Sequence, residues 1–432
     1  MIAHLKHRLH KRKYPSRYKL LQQLLQHQTL SQQQLLDKQQ QDLANMVRFA
    51  ASHTNFYKNK YAGLLPDNLN ALELTRLPVL SKGEVLHQRD SMVADTVDRN
   101  TIRLGHTGGS TGTPLSFYYD DHKMELMRAG MSRSYMGSGW QPGQKILNFW
   151  GAKQDIKGNT FGKKYDNLIA AEKTIGAYEY TETELNHWVQ TIGIYRPVLL
   201  QGYASILAEL AKFVIDNNIT VPKSLKGVYS TAEVLYDWQR QAMETAFACK
   251  VYNQYGCREI PNIAVECQHG NMHVFTDMVK LESINIDNED KLIITSLTNF
   301  LMPMIRYENG DNGKLKAGQC PCGSPFPMLK MGTCRSNDII KTKTGKRIYP
   351  SYFIHLLDGI NGIKQYQFVQ MALDKIVLNI NSANLSVQDL QKGIQQKIHA
   401  DVDADMQFEI IRGNEIKRTV SGKYRFVISD IS

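Results

Sequence analysis

Apolar residues recur at helical spacing in some stretches of the chain and alternate or run together in others. Helical spacing predicts helices over residues 42–54, 121–136 and 203–217, and Asp120 is a candidate cap for the second. Short apolar or alternating runs predict strands over residues 145–150, 197–201, 226–230, 250–253 and 291–297. This alternation of helices and strands predicts an α/β fold, with sheets sandwiched by helices.

The N-terminal segment is basic and rich in glutamine. Residues 1–36 contain no Asp or Glu and hold seven cationic residues, which are Lys6, Arg8, Lys11, Arg12, Lys13, Arg17 and Lys19. Apolar spacing from Tyr18 to Leu25 is helical, so residues 1–60 are predicted to form a basic, glutamine-rich helical segment. Clustered cations attract anionic lipid, which leaves peripheral membrane contact open. A nucleic-acid partner is not expected, because no recognised binding module accompanies the segment.

Composition is that of a large cytoplasmic enzyme. The chain has 432 residues, of which 42% are hydrophobic and 22% charged, with a formal net charge of +11. A single core stops growing at roughly 250–300 residues, so two or more domains are expected. Neither a membrane-spanning run nor an apolar signal segment is visible. All six cysteines lie between residues 249 and 334, which makes a disulfide-stapled extracellular scaffold improbable.

A loop of small and hydroxylated residues, GHTGGSTGTPL at 105–115, is the strongest chemical signal. Glycine lets the backbone approach an anion, and hydroxyls add hydrogen-bond donors, so the loop indicates phosphate binding. The lysine of the familiar P-loop is absent. A flexible surface loop is the alternative interpretation of the same composition.

Two further motifs, YGCRE at 255–259 and MPMIRYENGD at 302–311, follow in order. Together with the glycine-rich loop they resemble the AMP-forming ligases of the phenylacetate-CoA ligase type, and within them the CapK-like branch associated with polysaccharide biosynthesis. The resemblance implies an adenylate-forming fold: a large N-terminal adenylation domain over residues 1–334 and a small mobile α+β lid over residues 335–432. It also implies ATP-dependent activation of a carboxylic acid as an acyl-adenylate, with release of pyrophosphate.

The resemblance assigns roles to particular residues of the large domain. Glu259 matches the glutamate that carries Mg²⁺, and Asp311 matches the aspartate that accepts the ribose hydroxyls. Tyr255, with Gly256 beside it, would lie against the adenine or the reacting carboxylate. The phosphate-binding residues would be Thr107, Gly108, Gly109, Ser110, Thr111 and Gly112, and the adenine-binding turn would be Thr231, Ala232 and Glu233.

The resemblance also assigns roles to two residues of the predicted lid, Arg335 and Lys423. Arg335, in a segment similar to the family's GRxDD hinge, would reach the ribose. Lys423, in SGK, would be the catalytic cation that bridges substrate carboxylate and α-phosphate, although Lys417 and Arg418 leave the inserting base open. The chain departs from the family at Thr113, where relatives often have lysine, and at Cys334, where the hinge has glycine.

A separate set of residues, Cys267, His273, Cys320 and Cys322, is arranged as C-x5-H followed by C-x-C-G. Three sulfur ligands and one nitrogen ligand suit tetrahedral Zn²⁺, so a structural zinc site is predicted. Reduced core cysteines are the alternative.

The acceptor of the acyl group is less constrained by sequence. The breadth of the family favours CoA, and the CapK-like branch leaves a sugar amine as the alternative. A competing hypothesis is a non-catalytic protein that keeps the fold and binds membrane or glycan machinery. The expected location is cytoplasmic, with peripheral contact at the inner membrane face left open.

Overall fold

The computed structural model describes residues 2–106, 115–150, 161–177, 180–286, 289–332, 340–348, 352, 353, 356, 357, 360, 362–382, 386–413, 416, 425–429 and 431. The chain groups into two compact units. The large unit comprises residues 1–309 and 313–330, and the small unit comprises residues 310–312 and 331–432.

The α-helices of the described residues are α1 (Ile2–Lys13), α2 (Pro15–His27), α3 (Gln32–His53), α4 (Asn55–Lys60), α5 (Lys82–Gln88), α6 (Asp121–Met136), α7 (Phe161–Ala170), α8 (Glu182–Tyr195), α9 (Ala204–Asp216), α10 (Asp237–Phe247) and α11 (Val387–Asp401). Short 3₁₀ turns cover Leu69–Ala71, Leu74–Arg76, Arg89–Met92 and Arg99–Thr101. None of the described helices is long and apolar enough to cross a bilayer.

The strands are β1 (Arg103–His106), β2 (Ser116–Tyr119), β3 (Ile146–Trp150), β4 (Glu172–Gly176), β5 (Leu199–Tyr203), β6 (Gly227–Thr231), β7 (Lys250–Tyr255), β8 (Ala264–Glu266), β9 (Met272–Val274), β10 (Val279–Ile286), β11 (Glu289–Ser296), β12 (Tyr307–Lys316), β13 (Met328–Met331), β14 (Ile340–Lys341), β15 (Arg347–Ile348), β16 (Ile363–Ala372), β17 (Lys375–Ser382), β18 (Gln407–Arg412) and β19 (Val427–Ser429). The five strands predicted from the sequence are all present, with ends that agree within two residues.

Eleven strands form one mixed sheet in the order β10-β11-β12-β13-β9-β8-β7-β6-β5-β3-β4. The strands from β4 to β7 are parallel, and β7, β8, β9 and β13 pair antiparallel. Neighbouring residues of the parallel strands point to opposite faces, and both faces are buried. Leu200 and Val228 enter one core, whereas Leu199 and Tyr229 enter the other.

Helices cover both faces of this parallel half. Trp188 of α8, Leu207 of α9 and Phe247 of α10 pack into the first core. Tyr135 of α6 packs into the second, beside Trp140. The predicted α/β fold of sheets sandwiched by helices is therefore confirmed.

The N-terminal segment is helical, as predicted, from α1 through α4. The predicted start of one helix, residue 42, is wrong because α3 begins ten residues earlier, at Gln32. Ser31 caps it: the Ser31 hydroxyl accepts from the Gln34 backbone at 3.2 Å, and the Gln34 side chain accepts from the Ser31 backbone at 2.9 Å. The glutamines at residues 32–34 and 39–41 are thus part of a helix whose buried side includes Leu35, Gln39 and Leu43.

The small unit contains a four-stranded sheet in the order β18-β17-β16-β19. Strands β16 and β17 pair antiparallel, and the two outer strands pair parallel to them. Helix α11 buries Ile394 and Ile398. Phe368 contacts the rings of Phe353 and Phe408 in the core of this unit. The unit is α+β, in agreement with the fold expected for its part of the chain.

Arg133 of α6 is the largest fully buried side chain of the large unit. Its guanidinium forms a two-pronged ion pair with Asp277, at 2.6 and 3.1 Å, and lies 4.0 Å from the ring centroid of Phe275. His27 of α2 also contacts Asp277, at 2.9 Å. Burial alone would raise the pKa of Asp277, but Arg133 and His27 outweigh it and hold this pKa below its usual range.

Replacement of Arg133 by methionine is expected to destabilise the large unit by about 3–5 kcal/mol, because Asp277 stays buried without its main counter-ion. Urea unfolding followed by tryptophan fluorescence measures this directly. All four tryptophans, Trp140, Trp150, Trp188 and Trp238, lie in the large unit and report its unfolding.

The matched control is Arg76→Met. The Arg76 side chain is 74% exposed and pairs with Glu73, so its loss should cost less than about 1 kcal/mol. An Arg133→Met protein as stable as this control would show that the buried pair does not hold the fold together.

Candidate active site

Two predicted site residues of the large unit, Thr231 and Tyr255, lie where neighbouring parallel strands end. Trp150, Tyr203, Thr231 and Tyr255 are the last residues of β3, β5, β6 and β7, which are neighbours in the sheet. Open α/β sheets bind ligands beyond the carboxyl ends of their strands. The large unit therefore presents a candidate site along this edge.

A compact turn follows β7 and carries the YGCRE motif. The Cys257 backbone donates to the Ile260 carbonyl at 3.0 Å, and the Ile263 backbone donates to the Tyr255 carbonyl at 3.1 Å. At Gly256 a Cβ atom would lie 3.0 Å from the backbone nitrogen of Asn262, which is tighter than ordinary contact. Glycine is thus required here by close backbone approach, a second reason for its presence besides the predicted nucleotide contact.

Glu259 is buried in this turn, with 5% of its surface exposed. Its Oε1 accepts a hydrogen bond from the Tyr307 hydroxyl at 3.3 Å. Its Oε2 is buried and has no hydrogen-bond partner among the residues that the structure describes. A buried carboxylate oxygen is costly to leave unpaired, so it calls for a ligand, and a hard cation such as Mg²⁺ fits its chemistry.

Lys123, in the first turn of α6, lies beneath the same turn and was not singled out by the sequence. Its ammonium group donates to the Glu259 carbonyl at 2.5 Å and lies 4.8 Å from the ring centroid of Phe117. Burial lowers the pKa of Lys123 to about 8. The lysine fixes the backbone of the residue that carries the unpaired carboxylate oxygen.

Asn262 joins the turn to α6 as well. Its side-chain amide donates to the Met127 carbonyl at 2.8 Å, and a Cβ atom on Gly130 would lie only 2.5 Å from that amide nitrogen. The backbone of Asn262 is left-handed, with φ of 56°. Close packing of Gly130 therefore sets the distance between helix and turn.

The start of the glycine-rich loop lies against the same turn. Arg258 donates to the His106 carbonyl at 3.2 Å. His106 ends β1 and pairs with Ser116 of β2, so the two strands hold the ends of the loop together. The predicted phosphate-binding residues Thr107, Gly108, Gly109, Ser110, Thr111 and Gly112 lie outside the described residues.

The predicted adenine-binding turn follows β6. Ala232 has a left-handed backbone with φ of 69°, which is unusual for a residue with a side chain and marks a strained position. Glu233 Oε2 accepts from the Ser205 backbone at 2.8 Å, near the start of α9. Thr231 is half-buried at the strand end. Thr231 and Glu233 therefore lie at the edge of the sheet where β6 ends, next to the end of β7 that carries Tyr255.

The structure describes one of three further predicted site residues, Asp311, Arg335 and Lys423. Asp311 lies on β12 and groups with the small unit. Arg335 and Lys423 fall outside the described residues, so their roles stay predictions. Tyr255 accepts from the Asn309 side chain at 3.0 Å.

Arg306 supports the structure beneath the RYENGD motif. Its guanidinium contacts Glu282 at 3.1 Å and donates to the Thr75 carbonyl at 3.0 Å. Its side chain is therefore occupied within the large unit.

The four predicted zinc ligands come together, with their ligand atoms within 4.8 Å of one another. Cys267 Sγ lies 3.7 Å from Cys320 Sγ, and Cys322 Sγ lies 3.3 Å from His273 Nε2. Zn–S bonds of about 2.3 Å in a tetrahedron separate two sulfurs by ~3.8 Å. The spacing of the sulfurs thus fits a zinc ion.

Hydrogen bonds around this cluster also suit a metal. The His273 Nδ1 donates to the Phe326 carbonyl at 2.8 Å, which leaves Nε2 with the lone pair that faces the sulfurs. Backbone N–H groups of His269 and Ser324 donate to the sulfurs of Cys267 and Cys322, each at 3.4 Å. The donors stabilise negative charge on sulfur.

The two thiols of the C-x-C pair differ in pKa. Burial alone would raise the pKa of Cys320, but hydrogen bonds, first from the Cys322 backbone, outweigh it and lower this pKa to about 6. Burial and the neighbouring sulfurs raise the pKa of Cys322 to about 12. Hydrogen-bond donors thus favour the thiolate form of Cys320, whereas burial and the neighbouring sulfurs disfavour that of Cys322.

Comparisons with known proteins show what the whole chain resembles. A sequence profile for the CapK C-terminal domain matches residues 340–430. Protein CapK of Staphylococcus aureus is 25% identical and covers 92% of this chain and 90% of its own length. Phenylacetate-coenzyme A ligase of Thermus thermophilus is 22% identical, with 93% and 98% covered. The solved structure of 2-hydroxyisobutyryl-CoA ligase with 2-HIB-AMP superposes with a TM-score of 0.72 at 21% identity, covering 91% of this chain and 89% of that one.

The chain thus has the fold of the adenylate-forming CoA ligases. More particularly, the predicted resemblance to the phenylacetate-CoA ligase type and to CapK is confirmed along almost its whole length. The predicted class, an enzyme like the AMP-forming acyl-CoA ligases, is supported by the same relatives.

Proposed function

We propose that this protein activates a carboxylic acid with ATP, forms an acyl-adenylate with release of pyrophosphate, and transfers the acyl group to CoA. The observation that carries the proposal is the buried Oε2 of Glu259, which has no hydrogen-bond partner among the described residues and lies in a turn that also holds the start of the glycine-rich loop through Arg258. A metal-binding oxygen beside a phosphate-binding loop is the arrangement that nucleotide activation requires.

Each part of the site has a role in this proposal. Glu259 holds Mg²⁺, which when bound neutralises phosphate charge. The loop from Thr107 to Gly112 donates hydrogen bonds to the phosphates. Thr231, Ala232, Glu233, Tyr255 and Gly256 form the adenine side of the site.

The residues of the second half of the chain complete the proposed site. Asp311 accepts the ribose hydroxyls and Arg335 contacts the same sugar. Lys423 delivers a positive charge to the reacting carboxylate and the α-phosphate. Residues 335–432 act as a lid, so that this charge is supplied only when the reaction geometry is assembled.

The relatives support CoA as the acceptor, since the phenylacetate-coenzyme A ligase and the 2-hydroxyisobutyryl-CoA ligase carry CoA in their names. A role in cell-surface polysaccharide biosynthesis is part of the proposal because the sequence resembles the CapK-like branch. The same resemblance leaves a sugar amine as the second candidate acceptor.

The proposal predicts acid-dependent release of pyrophosphate from ATP. A panel of aryl, fatty, hydroxy and amino acids, tested with and without CoA, should contain one class that raises release above the acid-free rate. Mass spectrometry of the product then distinguishes an acyl-CoA from an acylated amine. No release with any acid, from protein that binds ATP, would contradict the ligase function.

Glu259→Gln should lower pyrophosphate release by at least about a hundredfold, because the metal loses its charged ligand. The matched control is Glu244→Gln. Glu244 accepts from the Val251 backbone at 3.1 Å, outside the site, and glutamine keeps that acceptor. Equal rates in the two variants would remove Glu259 from the mechanism.

We also propose that Cys267, His273, Cys320 and Cys322 hold a structural zinc ion. The distances between the sulfurs and the single nitrogen support it, as does the orientation of the histidine ring. The ion would stabilise the antiparallel part of the large sheet, since His273 lies on β9.

Metal analysis of the purified protein should find about one zinc ion per chain, and a chelator should lower the thermal midpoint. Cys320→Ser should lose the zinc, whereas Cys249→Ser should keep it, because Cys249 lies outside the cluster. No zinc in the unchanged protein, or the same zinc content in both variants, would contradict the proposed four-ligand site.

A further inference from the structure

Helix α1 exposes its leucines and turns polar residues inward. Leu5 is 58% exposed and Leu9 is 38% exposed, whereas His10 is buried with 8% exposed. Lys6 and His7 are half-buried on the inner side. A helix of a globular protein ordinarily buries its apolar stripe, so the orientation of α1 is the reverse of the usual one.

Specific contacts on the inner side hold this orientation. His10 shares a hydrogen bond with the Tyr18 hydroxyl at 2.7 Å and lies 3.3 Å from an Arg17 nitrogen. A Cβ atom on Gly143 would lie 2.4 Å from the Ala3 carbonyl, so α1 packs directly on that glycine. The helix cannot roll its leucines inward without losing these contacts.

The exposed face of α1 combines the leucines with positive charge. Its residues recur every three or four positions and share one side of the helix. They are His4, Leu5, Arg8, Leu9, Lys11 and Arg12, which are all exposed. No acidic residue occurs before Asp37 to offset the charge.

We propose that this face of α1 docks on the surface of an anionic lipid bilayer. Leucines at the level of the headgroups and arginines on the phosphates are the contacts of an interfacial amphipathic helix. A second copy of the chain fits poorly, because a two-fold interface would set this cationic face against itself. Nucleic acid would use the cations and leave both leucines in water. The proposal is independent of the ligase activity.

The test is sedimentation of the full-length protein with lipid vesicles. Binding is expected to vesicles of equal parts phosphatidylcholine and phosphatidylglycerol, to weaken as salt is raised, and to be absent with phosphatidylcholine alone. The double variants Leu5→Gln/Leu9→Gln and Arg8→Gln/Arg12→Gln should each bind about tenfold more weakly or worse.

Matched controls carry the same changes elsewhere on the surface. Leu36→Gln/Leu64→Gln alters leucines that are 42% and 46% exposed, and Arg76→Gln/Lys314→Gln alters side chains that are 74% and 71% exposed. Both should bind vesicles like the unchanged protein. Circular dichroism and tryptophan fluorescence check that every variant is folded.

Three results would overturn the proposal. One is no binding to the anionic vesicles, or equal binding to neutral ones. Another is full binding of the Leu5→Gln/Leu9→Gln variant to the anionic vesicles. Charge alone would then explain the binding, and an oligonucleotide would fit the face as well as a bilayer. The last is an unchanged protein that does not bind vesicles but self-associates in analytical ultracentrifugation, with the self-association lost in the Leu5→Gln/Leu9→Gln variant.

Discussion

The buried guanidinium of Arg133 joins α6, the end of α2 and Asp277 in the core of the large unit. A charge in a core must find a counter-charge and hydrogen-bond acceptors, so Arg133 fixes where α6 lies against Asp277 and the end of α2. Because α6 is one rigid helix, the same constraint places Lys123 at its other end beneath the Glu259 carbonyl. The turn that carries the candidate metal ligand is thereby tied to the core.

The same side chain also connects the candidate active site to the Cys/His cluster. The Phe326 ring lies 5.2 Å from the Arg133 guanidinium, and the Phe326 carbonyl accepts from His273, a cluster residue. Arg240 of α10 lies beside the cluster region as well, and it joins β8 to β7 by hydrogen bonds to the Glu266 carboxylate and the Val251 carbonyl. A metal in the cluster would therefore stabilise the strands that follow the Glu259 turn, without taking part in the chemistry.

Local pattern and motif spacing were enough to predict part of this arrangement. The bounds of α6 are those predicted, because apolar spacing and a capping aspartate are both local signals. The C-x5-H and C-x-C-G spacing predicted the cluster, because cysteine and histidine are recognisable in a sequence as possible metal ligands. Arg133 and Asp277 are 144 residues apart, and no local signal connects them. Lys123 looks like any lysine of a helix's first turn, and only tertiary packing makes it a buried charge. The reversed face of α1 was equally invisible, because the inward position of His7 and His10 depends on Tyr18 and Gly143.

We infer that Glu259 presents a carboxylate oxygen to a metal ion bound with the nucleotide. Electron paramagnetic resonance of Mn²⁺, titrated with the protein and a non-hydrolysable ATP analogue, measures this without any knowledge of the acid substrate. If Glu259 holds the metal, Mn²⁺ is expected to bind together with the nucleotide, and at least about tenfold more weakly to Glu259→Gln. Equal Mn²⁺ affinity in both proteins, or binding that does not require the nucleotide, would contradict it.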